Sequence, residues 1–412
     1  MAILDVEKIR QDFPMFTNRV QMQGKPLVWL DNSSTTFKPR QVLEAMNRYY
    51  EFETSNSHRG DYDLSYQADL KIEEARKCVA SFLGAKEKEI VFTSGATGGL
   101  NLVAYGYALR HLKEGDEILI SQAEHASNVL PWFEIAKLTQ AKISYVSLDE
   151  EGRVTPGNLE KAINEHTKIV SLAHVGNVLG YTHDVKAFAA IAHQHGAIMV
   201  VDGAQSAPHM KIDVKDLDCD FYVFSGHKLC GPTGIGALYG KYEILDQTAP
   251  FLSGGGMNVK FSCDGQASFL PPPLRFEAGT QNVAGIYGLK AAIEYLQSIG
   301  LDKIKAHEEE LKRYAIEKLK DCPKVTVYNA SSEAGIVTFN IEGIFAQDAA
   351  TYFNSKGIAV RSGQHCAKML PSFLNTVATL RASFYFYNST KDIDILIDAI
   401  NHAEDYLDAY FI

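Results

Sequence analysis

A lysine stands directly after an apolar run and before a glycine-rich turn, in the stretch FYVFSGHKLCGPTG at residues 221–234. An amine at the end of a buried strand, in a water-poor pocket, can lose its proton and become a nucleophile. A lysine on a surface turn is the commoner situation, so Lys228 alone decides nothing. The meaning of this lysine depends on which other side chains the fold brings beside it.

The surrounding region has the pattern of an α/β fold. From about residue 90 to residue 240, short β-type runs alternate with amphipathic segments of helix length. This alternation predicts a mostly parallel sheet covered by helices on both faces. Ligands of such sheets bind beyond the carboxyl ends of the strands, so the polar residues that follow each apolar run are the candidates for a site.

One of these strand ends has the composition of an anion site. The sequence SGATGG at 94–99, which includes Ala96 and Thr97, follows the apolar run EIVFT and opens a predicted helix. Glycines let backbone amides approach an anion, and a helix N-terminus favours negative charge. Because the stretch lacks the Walker A lysine and the GxGxxG pattern, it favours a single phosphate over a nucleoside triphosphate or a dinucleotide.

Polar residues also follow the other predicted strands, namely His125, Asn177, Asp202, Gln205, Ser225, His227 and Lys228. Each has an ordinary structural explanation, such as a helix cap for Asp202 or a core imidazole for His125. Together they supply what pyridoxal 5′-phosphate (PLP) needs. A lysine holds its aldehyde, a carboxylate keeps the pyridine nitrogen protonated so that the ring accepts electrons, and an imidazole stacks on the ring. Ser225 and His227 would add donors to the phosphate.

Chain length and a proline-rich segment predict two domains. A chain of 412 residues exceeds the size at which a single core stops growing. We expect a large α/β domain at 22–296 and a smaller α+β domain at 297–412 that includes residues 1–21. The stretch FLPPPLRFEAGTQN at 269–282 reads as a stiff extended loop, and 284–320 as a long helical stretch.

Charge and cysteine usage exclude several classes of protein. The formal net charge of −10 disfavours nucleic acid and anionic lipid as partners. No signal-peptide core and no run of about 18 apolar residues occur, so no membrane span is expected. The six cysteines have no paired spacing and read as free thiols of a reducing cytosol, which predicts a cytoplasmic protein. No metal site is expected, because the histidines of HQH at 193–195 would face different sides of a helix.

Five motifs, HVGNVLG, VDGAQ, SGHKLCGPTGIGALYGK, RFEAGTQN and RSGQHCA, together resemble those of the cysteine desulfurases of the class V aminotransferase fold. The resemblance is nearest to the group II, Suf-type branch, which includes selenocysteine lyase-like members. It runs from WLDNSSTT at 29–36 to RASFYFYN at 381–388 and so covers nearly the whole chain. It implies the PLP-dependent transferase fold type I, with a seven-stranded sheet in the large domain, and a homodimer.

The resemblance also implies roles for residues of the cofactor site. Lys228 matches the lysine that binds PLP, Asp202 the partner of the pyridine nitrogen, and Gln205 the partner of the phenolic oxygen. His125 is similar in position to the ring-stacking histidine, which is also a candidate proton shuttle. The residues implied to contact the phosphate are Ala96, Thr97, Ser225 and His227, with Thr280 reaching it from the neighbouring subunit.

For the substrate, the resemblance implies that Asn177 and Arg381 bind the carboxylate, and that Arg361 is a further substrate-binding residue at the rim of the site. It also implies that Cys366 accepts the sulfur. The implied reaction converts L-cysteine to L-alanine and leaves a persulfide on Cys366, for iron–sulfur cluster or other sulfur-compound biosynthesis through an acceptor protein of unknown identity. The attack requires a thiolate, and Arg361 and His365 could supply the positive charge that lowers the thiol pKa.

Several alternatives remain open at this stage. The chain could be a selenocysteine lyase or another β-eliminating lyase, a class V aminotransferase, or a catalytically silent scaffold. Departures from the usual motifs of the branch include Gln364 and Ala126, where histidine is usual, and Ser33 and Ser34, where alanine is usual. The preference between L-cysteine and L-selenocysteine is therefore undecided.

Overall fold

A computed structural model describes residues 4–57 and 60–410 of the chain. Within these ranges the strands, in chain order, are β1 (Gln21–Met22), β2 (Lys25–Pro26), β3 (Val28–Trp29), β4 (Ile90–Thr93), β5 (Glu117–Ser121), β6 (Lys142–Val146), β7 (Thr167–Ala173), β8 (Ile198–Asp202), β9 (Phe221–Ser225), β10 (Gly236–Gly240), β11 (Asn258–Phe261), β12 (Ala267–Phe269), β13 (Val325–Val327), β14 (Ile336–Ile341), β15 (Ile358–Ala359), β16 (Arg361–Gly363) and β17 (Thr379–Ser383).

The α-helices are α1 (Val6–Arg10), α2 (Pro14–Thr17), α3 (Arg40–Arg48), α4 (Asp63–Leu83), α5 (Ala96–Leu102), α6 (Leu109–His111), α7 (Leu130–Thr139), α8 (Pro156–Ala162), α9 (Val185–Gln194), α10 (Val214–Leu217), α11 (Tyr242–Gln247), α12 (Val283–Ile299), α13 (Leu301–Leu319), α14 (Ala346–Ser355), α15 (Leu370–Phe373) and α16 (Thr390–Asn401). Turns of 3₁₀ or π helix lie at Tyr49–Glu53, Glu87–Glu89, Val103–Ala108, Ala126–Asn128, Gly226–Lys228, Leu274–Phe276 and Ala403–Tyr410.

The central sheet has seven strands in the order β4-β10-β9-β8-β7-β5-β6. The pairs from β9 to β6 are parallel, and β10 is antiparallel to both of its neighbours. This confirms the prediction of an α/β fold built on a mostly parallel, seven-stranded sheet. Because β7, β8 and β9 are parallel neighbours, their carboxyl ends meet at one edge of the sheet.

Both faces of the central sheet are buried, and the side chains alternate between them. On β8, Val200 packs into one core and Val201 into the other; on β5, Ile118 and Leu119 are divided in the same way. Alternation with a period of two residues is the geometry of a strand. Burial on both faces explains why these strands read in the sequence as continuous apolar runs.

A second, four-stranded antiparallel sheet has the order β13-β14-β17-β16 and its own hydrophobic core. Val28 and Leu30 contribute to this second core, and β3 pairs in parallel with β15. A segment early in the chain therefore packs against the carboxyl-terminal region. The boundaries at residues 22 and 297 stay predictions.

The long helical stretch predicted for 284–320 consists of two helices, α12 and α13, separated by Gly300. Gly300 has a φ of +97°, which L-residues with a side chain rarely adopt, so the helix cannot continue through it. Among the described residues, no helix combines the length and the apolar character needed to cross a bilayer.

Candidate active site

The carboxyl ends of the central strands open into a cavity that is shared with the second sheet. Its empty space, including the open mouth and the solvent there, is about 750 Å³. Every candidate residue predicted from the sequence except Thr280 lines it. These lining residues are Ala96, Thr97, His125, Asn177, Asp202, Gln205, Ser225, His227, Lys228, Arg361, Cys366 and Arg381.

One end of the cavity is a cradle formed by the N-terminus of α5 and the end of β9. The backbone N–H of Ala96 donates to Ser225 Oγ at 2.8 Å, and the hydroxyls of Thr97 and Ser127 lie 2.7 Å apart. Gly95 has a φ of +137°, and a Cβ added there would lie 3.0 Å from Ser225 Oγ. A side chain at position 95 would therefore narrow the cradle. With glycine there, the cradle has room for an anion beside hydroxyl and amide donors.

Lys228 ends the short helical turn that follows β9, so its amine enters the cavity from the end of a buried strand. Burial is the main cause that lowers the pKa of Lys228 to about 8; the charges of Arg381 and Arg361 act in the same direction, and Asp202 opposes them. A lysine with this pKa has a substantial fraction of free amine near neutral pH. Lys228 can therefore act as a nucleophile and as a base.

Asp202 is the last residue of β8, Gln205 lies on the loop that follows it, and both are buried. Asp202 Oδ1 accepts a hydrogen bond from the backbone N–H of Ala204 at 2.9 Å, which fixes the carboxylate at the strand end. Gln205 Nε2 donates to the carbonyl oxygen of Ser33 at 2.8 Å. Gln205 Oε1 is buried and has no hydrogen-bond partner in the described part of the chain. Buried polar atoms are normally paired, so this amide is available to a ligand.

His125 is held in a defined tautomer by the turn that follows it. Its Nδ1 accepts a hydrogen bond from the backbone N–H of Ser127 at 3.1 Å. Burial lowers the pKa of His125, and the positive charges of Lys228 and Arg381 contribute in the same direction. The imidazole is therefore neutral, and because Nδ1 accepts, the proton is carried on Nε2.

Two arginines from the second sheet contribute positive charge to the cavity. Arg361 on β16 and Arg381 on β17 lie directly opposite each other in the antiparallel ladder. Arg381 Nη1 donates to the carbonyl oxygen of Asn177 at 2.7 Å, and Nη2 to Asp31 Oδ1 at 3.2 Å. Arg381 Nε is buried without a partner among the described residues. Burial lowers the pKa of Arg381 to about 10, so the side chain remains charged at neutral pH.

Cys366 lies on the loop after β16, and its side chain is exposed as well as lining the cavity. His365 and Cys366 have φ values of 51° and 59°, two consecutive left-handed conformations of residues that carry a Cβ. Such conformations cost about 1–2 kcal/mol each and are concentrated at functional sites. Asn177 Nδ2 donates to the carbonyl oxygen of His365 at 2.8 Å, which helps to hold the loop.

The expectation that His365 supplies positive charge to the thiol is wrong. His365 is buried, and its Nε2 lies 2.8 Å from Thr379 Oγ1. Burial lowers the pKa of His365 to about 3, and Arg381 and Arg361 act in the same direction. The imidazole is therefore neutral at physiological pH. Arg361 remains the candidate source of positive charge from the group that the sequence indicated.

Thr280 lies outside the cavity. Its side chain is exposed, and its Oγ1 donates to Asn56 Oδ1 at 3.4 Å. It borders a surface depression that also contains Phe251 and Leu252, two exposed apolar side chains. The role of Thr280 toward a neighbouring subunit stays a prediction.

Sequence reasoning did not assign four lining residues to this site, namely Ser127, Ala173, Val175 and Ala204. Ala173 and Val175 could have been predicted, since they lie at the end of the apolar run that forms β7. Ser33 and Ser34 follow a two-residue strand that belongs to a different sheet, so the strand-end rule could not place them.

Comparisons with known proteins agree with this geometry. Residues 28–396 match the model of the family described as aminotransferase class-V. A probable cysteine desulfurase of Halalkalibacterium halodurans is 46% identical over 409 residues, which cover 99% of this chain and 100% of that protein.

Two solved structures are also similar over nearly their full lengths. The cysteine desulfurase CsdA of Escherichia coli is 37% identical with a TM-score of 0.90, covering 98% of this chain and 99% of that chain. A cysteine desulfurase of Thermococcus onnurineus NA1 is 40% identical with a TM-score of 0.90, covering 96% of this chain and 97% of that chain. The chain therefore belongs to the class-V aminotransferase family and, within it, to the cysteine desulfurases.

Proposed function

We propose that this cysteine desulfurase binds PLP in the cavity and converts L-cysteine to L-alanine, with the sulfur passing to Cys366 as a persulfide. The observation that carries the proposal is the meeting of three groups in one cavity: the Lys228 amine, the Asp202 carboxylate and the Cys366 thiol. These groups come from two different sheets. A merely structural role would not require a lysine with a pKa of about 8, a carboxylate and an exposed thiol around the same empty space.

The residues present fit PLP. The cradle at Gly95, Ala96 and Ser225 would hold the phosphate, Lys228 would hold the aldehyde, and Asp202 would keep the pyridine nitrogen protonated. The amide oxygen of Gln205 is buried and has no partner in the described part of the chain, which supports a ligand in contact with this wall. When bound, PLP supplies an electron sink that stabilises negative charge at the α-carbon of an amino acid.

The chain's own residues would bind the amino acid and move its protons. The guanidinium groups of Arg381 and Arg361 offer charge-assisted hydrogen bonds to the substrate carboxylate. Lys228, as a free amine, would accept the α-proton. His125 Nε2–H would donate a hydrogen bond within the cavity, because Nδ1 already accepts one from the backbone N–H of Ser127.

Sulfur transfer would require Cys366 as a thiolate. The Cys366 sulfur attacks the substrate sulfur, an S–S bond forms, and the bond between the substrate sulfur and Cβ breaks. The electron pair of that bond stays with the substrate, and protonation of Cβ followed by return of a proton from Lys228 to Cα would yield alanine. The product on the protein is a Cys366 persulfide.

We further propose a homodimer in which Thr280 of one chain completes the phosphate site of the other. The exposure of Thr280 beside the apolar side chains of Phe251 and Leu252 supports this arrangement. Cys366 is exposed, which supports delivery of its sulfur to an acceptor protein, for iron–sulfur cluster assembly or another sulfur-compound pathway. The described cysteines are free thiols, which supports a reducing, cytoplasmic compartment.

The test is a parallel measurement of alanine and sulfide released from L-cysteine in the presence of a reducing thiol. We expect equal amounts of the two products, and we expect Cys366→Ser to reduce both by at least about 100-fold while the visible absorption of the bound cofactor remains. Cys263→Ser is the matched control, because Cys263 is also exposed but lies outside the cavity.

Full sulfide release by Cys366→Ser would contradict the persulfide route. Pyruvate in place of alanine would instead indicate a β-eliminating lyase. The same assay with L-selenocysteine distinguishes a selenocysteine lyase, for which the Cys366→Ser variant would keep activity with selenium while losing it with sulfur.

A further inference from the structure

The hydroxyl of Ser34 lies between the two arginines of the cavity. Ser34 Oγ accepts hydrogen bonds from Arg361 Nη1 at 2.7 Å and from Arg381 Nη2 at 3.2 Å. The same hydroxyl donates to Asp31 Oδ1 at 2.7 Å. Ser34 therefore joins β16, β17 and the segment after β3 through one atom.

This arrangement uses the full hydrogen-bonding capacity of a serine hydroxyl, which has one donor and two acceptor sites. Because both guanidiniums can only donate, the single proton of Ser34 must point toward the Asp31 carboxylate. The orientation of the hydroxyl is thus determined by its partners. A saturated hydroxyl between two charged groups and a carboxylate holds all of them in a fixed relation.

In this chain the bridge links two side chains of like charge. They stand directly opposite each other in an antiparallel ladder, where like charges repel. Arg381 also donates to Asn177 and Asp31, so its position does not depend on Ser34 alone. Arg361 is linked to Arg381 and Asp31 through its hydrogen bond from Nη1 to Ser34 Oγ. Without the Ser34 hydroxyl, Arg361 would lose this anchor and would be free to move away from Arg381.

We infer that Ser34 is a positioning residue for carboxylate recognition, which holds the guanidinium of Arg361 beside that of Arg381 before an amino acid enters. This inference rests on the proposed function and deepens it. The ligand class is a small α-carboxylate. Ser34 uses only Nη1 of Arg361, and Nε of Arg381 has no partner among the described residues, so both guanidiniums retain donors for the incoming carboxylate.

The test compares Ser34→Ala with Ser362→Ala in the holoenzyme. Ser362 follows Arg361 on β16, so its side chain is on the opposite face of the strand, and it lies outside the cavity lining. Ser362→Ala therefore removes a serine hydroxyl without removing the bridge between the two arginines. Two quantities are measured: KM and kcat for L-cysteine, and the Kd of propionate by titration calorimetry. Propionamide, which has no charge, is the control ligand.

We expect Ser34→Ala to raise both KM and the propionate Kd by about tenfold, with kcat within about twofold of the unaltered protein. Ser362→Ala should change neither quantity, and propionamide should not distinguish the two variants. An unchanged propionate Kd in Ser34→Ala, or a loss confined to kcat, would overturn the inference. If the unaltered protein fails to turn over L-cysteine, the proposed function fails, but the propionate titration still decides the role of Ser34.

Discussion

The backbone N–H of Ala126 donates a 2.7 Å hydrogen bond to the carbonyl oxygen of Cys366. The turn that begins at His125 follows strand β5 of the central sheet. The hydrogen bond connects this turn directly to the loop that carries the exposed thiol of Cys366. Together with the hydrogen bond from Asn177 Nδ2 to the carbonyl oxygen of His365, this contact holds the Cys366 loop to the large sheet at two successive peptide groups. The position of the thiol therefore depends on loop conformation as well as on side-chain packing.

This dependence predicts the effect of Gly363→Ala. Gly363 is the last residue of β16, directly before the loop, and has a φ of +109°. A Cβ there would meet no atom within 4 Å, so the cost of the substitution is conformational rather than steric. We expect a strain of about 1–2 kcal/mol that is relieved by displacement of the loop, which would lower alanine formation from L-cysteine by about tenfold without changing cofactor uptake. Gly157→Ala is the control, since Gly157 also has open space and lies in the first turn of α8 at an ordinary φ. Equal activity of the two variants would refute the expectation.

The lowered pKa of Lys228 predicts how cofactor uptake depends on pH. The free amine is the reactive form, so its fraction rises as the pH rises through about 8 instead of through the usual value of 10.5. At pH 7 this difference makes the reactive fraction about 300-fold larger than for an ordinary lysine. We expect the rate at which cofactor-free protein acquires visible absorbance from PLP to rise with pH, to reach its midpoint near pH 8 and to level off above about pH 9. Because Asp202 raises this pKa, Asp202→Asn should move the midpoint to lower pH. A midpoint near 10.5 in the unaltered protein would contradict the assignment.

A buried ion pair predicts a large effect on stability. Arg76 Nη1 and Nη2 donate to the two carboxylate oxygens of Glu277 at 2.7 and 2.9 Å, and the backbone N–H of Phe92 donates to Glu277 Oε1 at 2.8 Å. Because both charged side chains are at most 3% exposed, removing one leaves an uncompensated charge. We expect Arg76→Ala to lower the free energy of unfolding in urea by about 3–5 kcal/mol.

The comparison for this prediction is an exposed pair. Lys137 and Glu134 are 70% and 54% exposed, so Lys137→Ala should change the free energy of unfolding by no more than about 0.5 kcal/mol. If Arg76→Ala were as mild as Lys137→Ala, the pair with Glu277 would contribute little. Glu277 precedes Thr280 by three residues, so the pair also anchors the loop that carries Thr280.

The sequence was sufficient to predict the parts of the fold and of the site that follow from local pattern. Continuous apolar runs separated by helix-length segments predict the doubly covered parallel sheet. The same rule places Asp202 and Lys228 at its carboxyl edge, because β8 and β9 are parallel neighbours. For this half of the cavity the strand-end rule is enough, since parallel strands in one sheet leave little freedom in where their ends meet.

The other half depends on contacts between distant parts of the chain. Arg381 meets Asp31 across 350 positions, and Ser34 meets Arg361 across 327, and neither pair has a local signal. Arg361, Arg381 and Cys366 were expected at the site from the family resemblance, not from periodicity. The charge state of His365 was misjudged because its burial and its proximity to two guanidiniums are properties of the folded chain.

The location of Cys366 has a consequence for how sulfur leaves the protein. Its side chain borders the interior space on one side and bulk solvent on the other. On the proposed chemistry, a second protein can collect the sulfur without entering the space where the amino acid lies. Release of the amino-acid product and transfer of the sulfur are then separate events. Without an acceptor, the enzyme stops after one turnover with the sulfur still bound to Cys366.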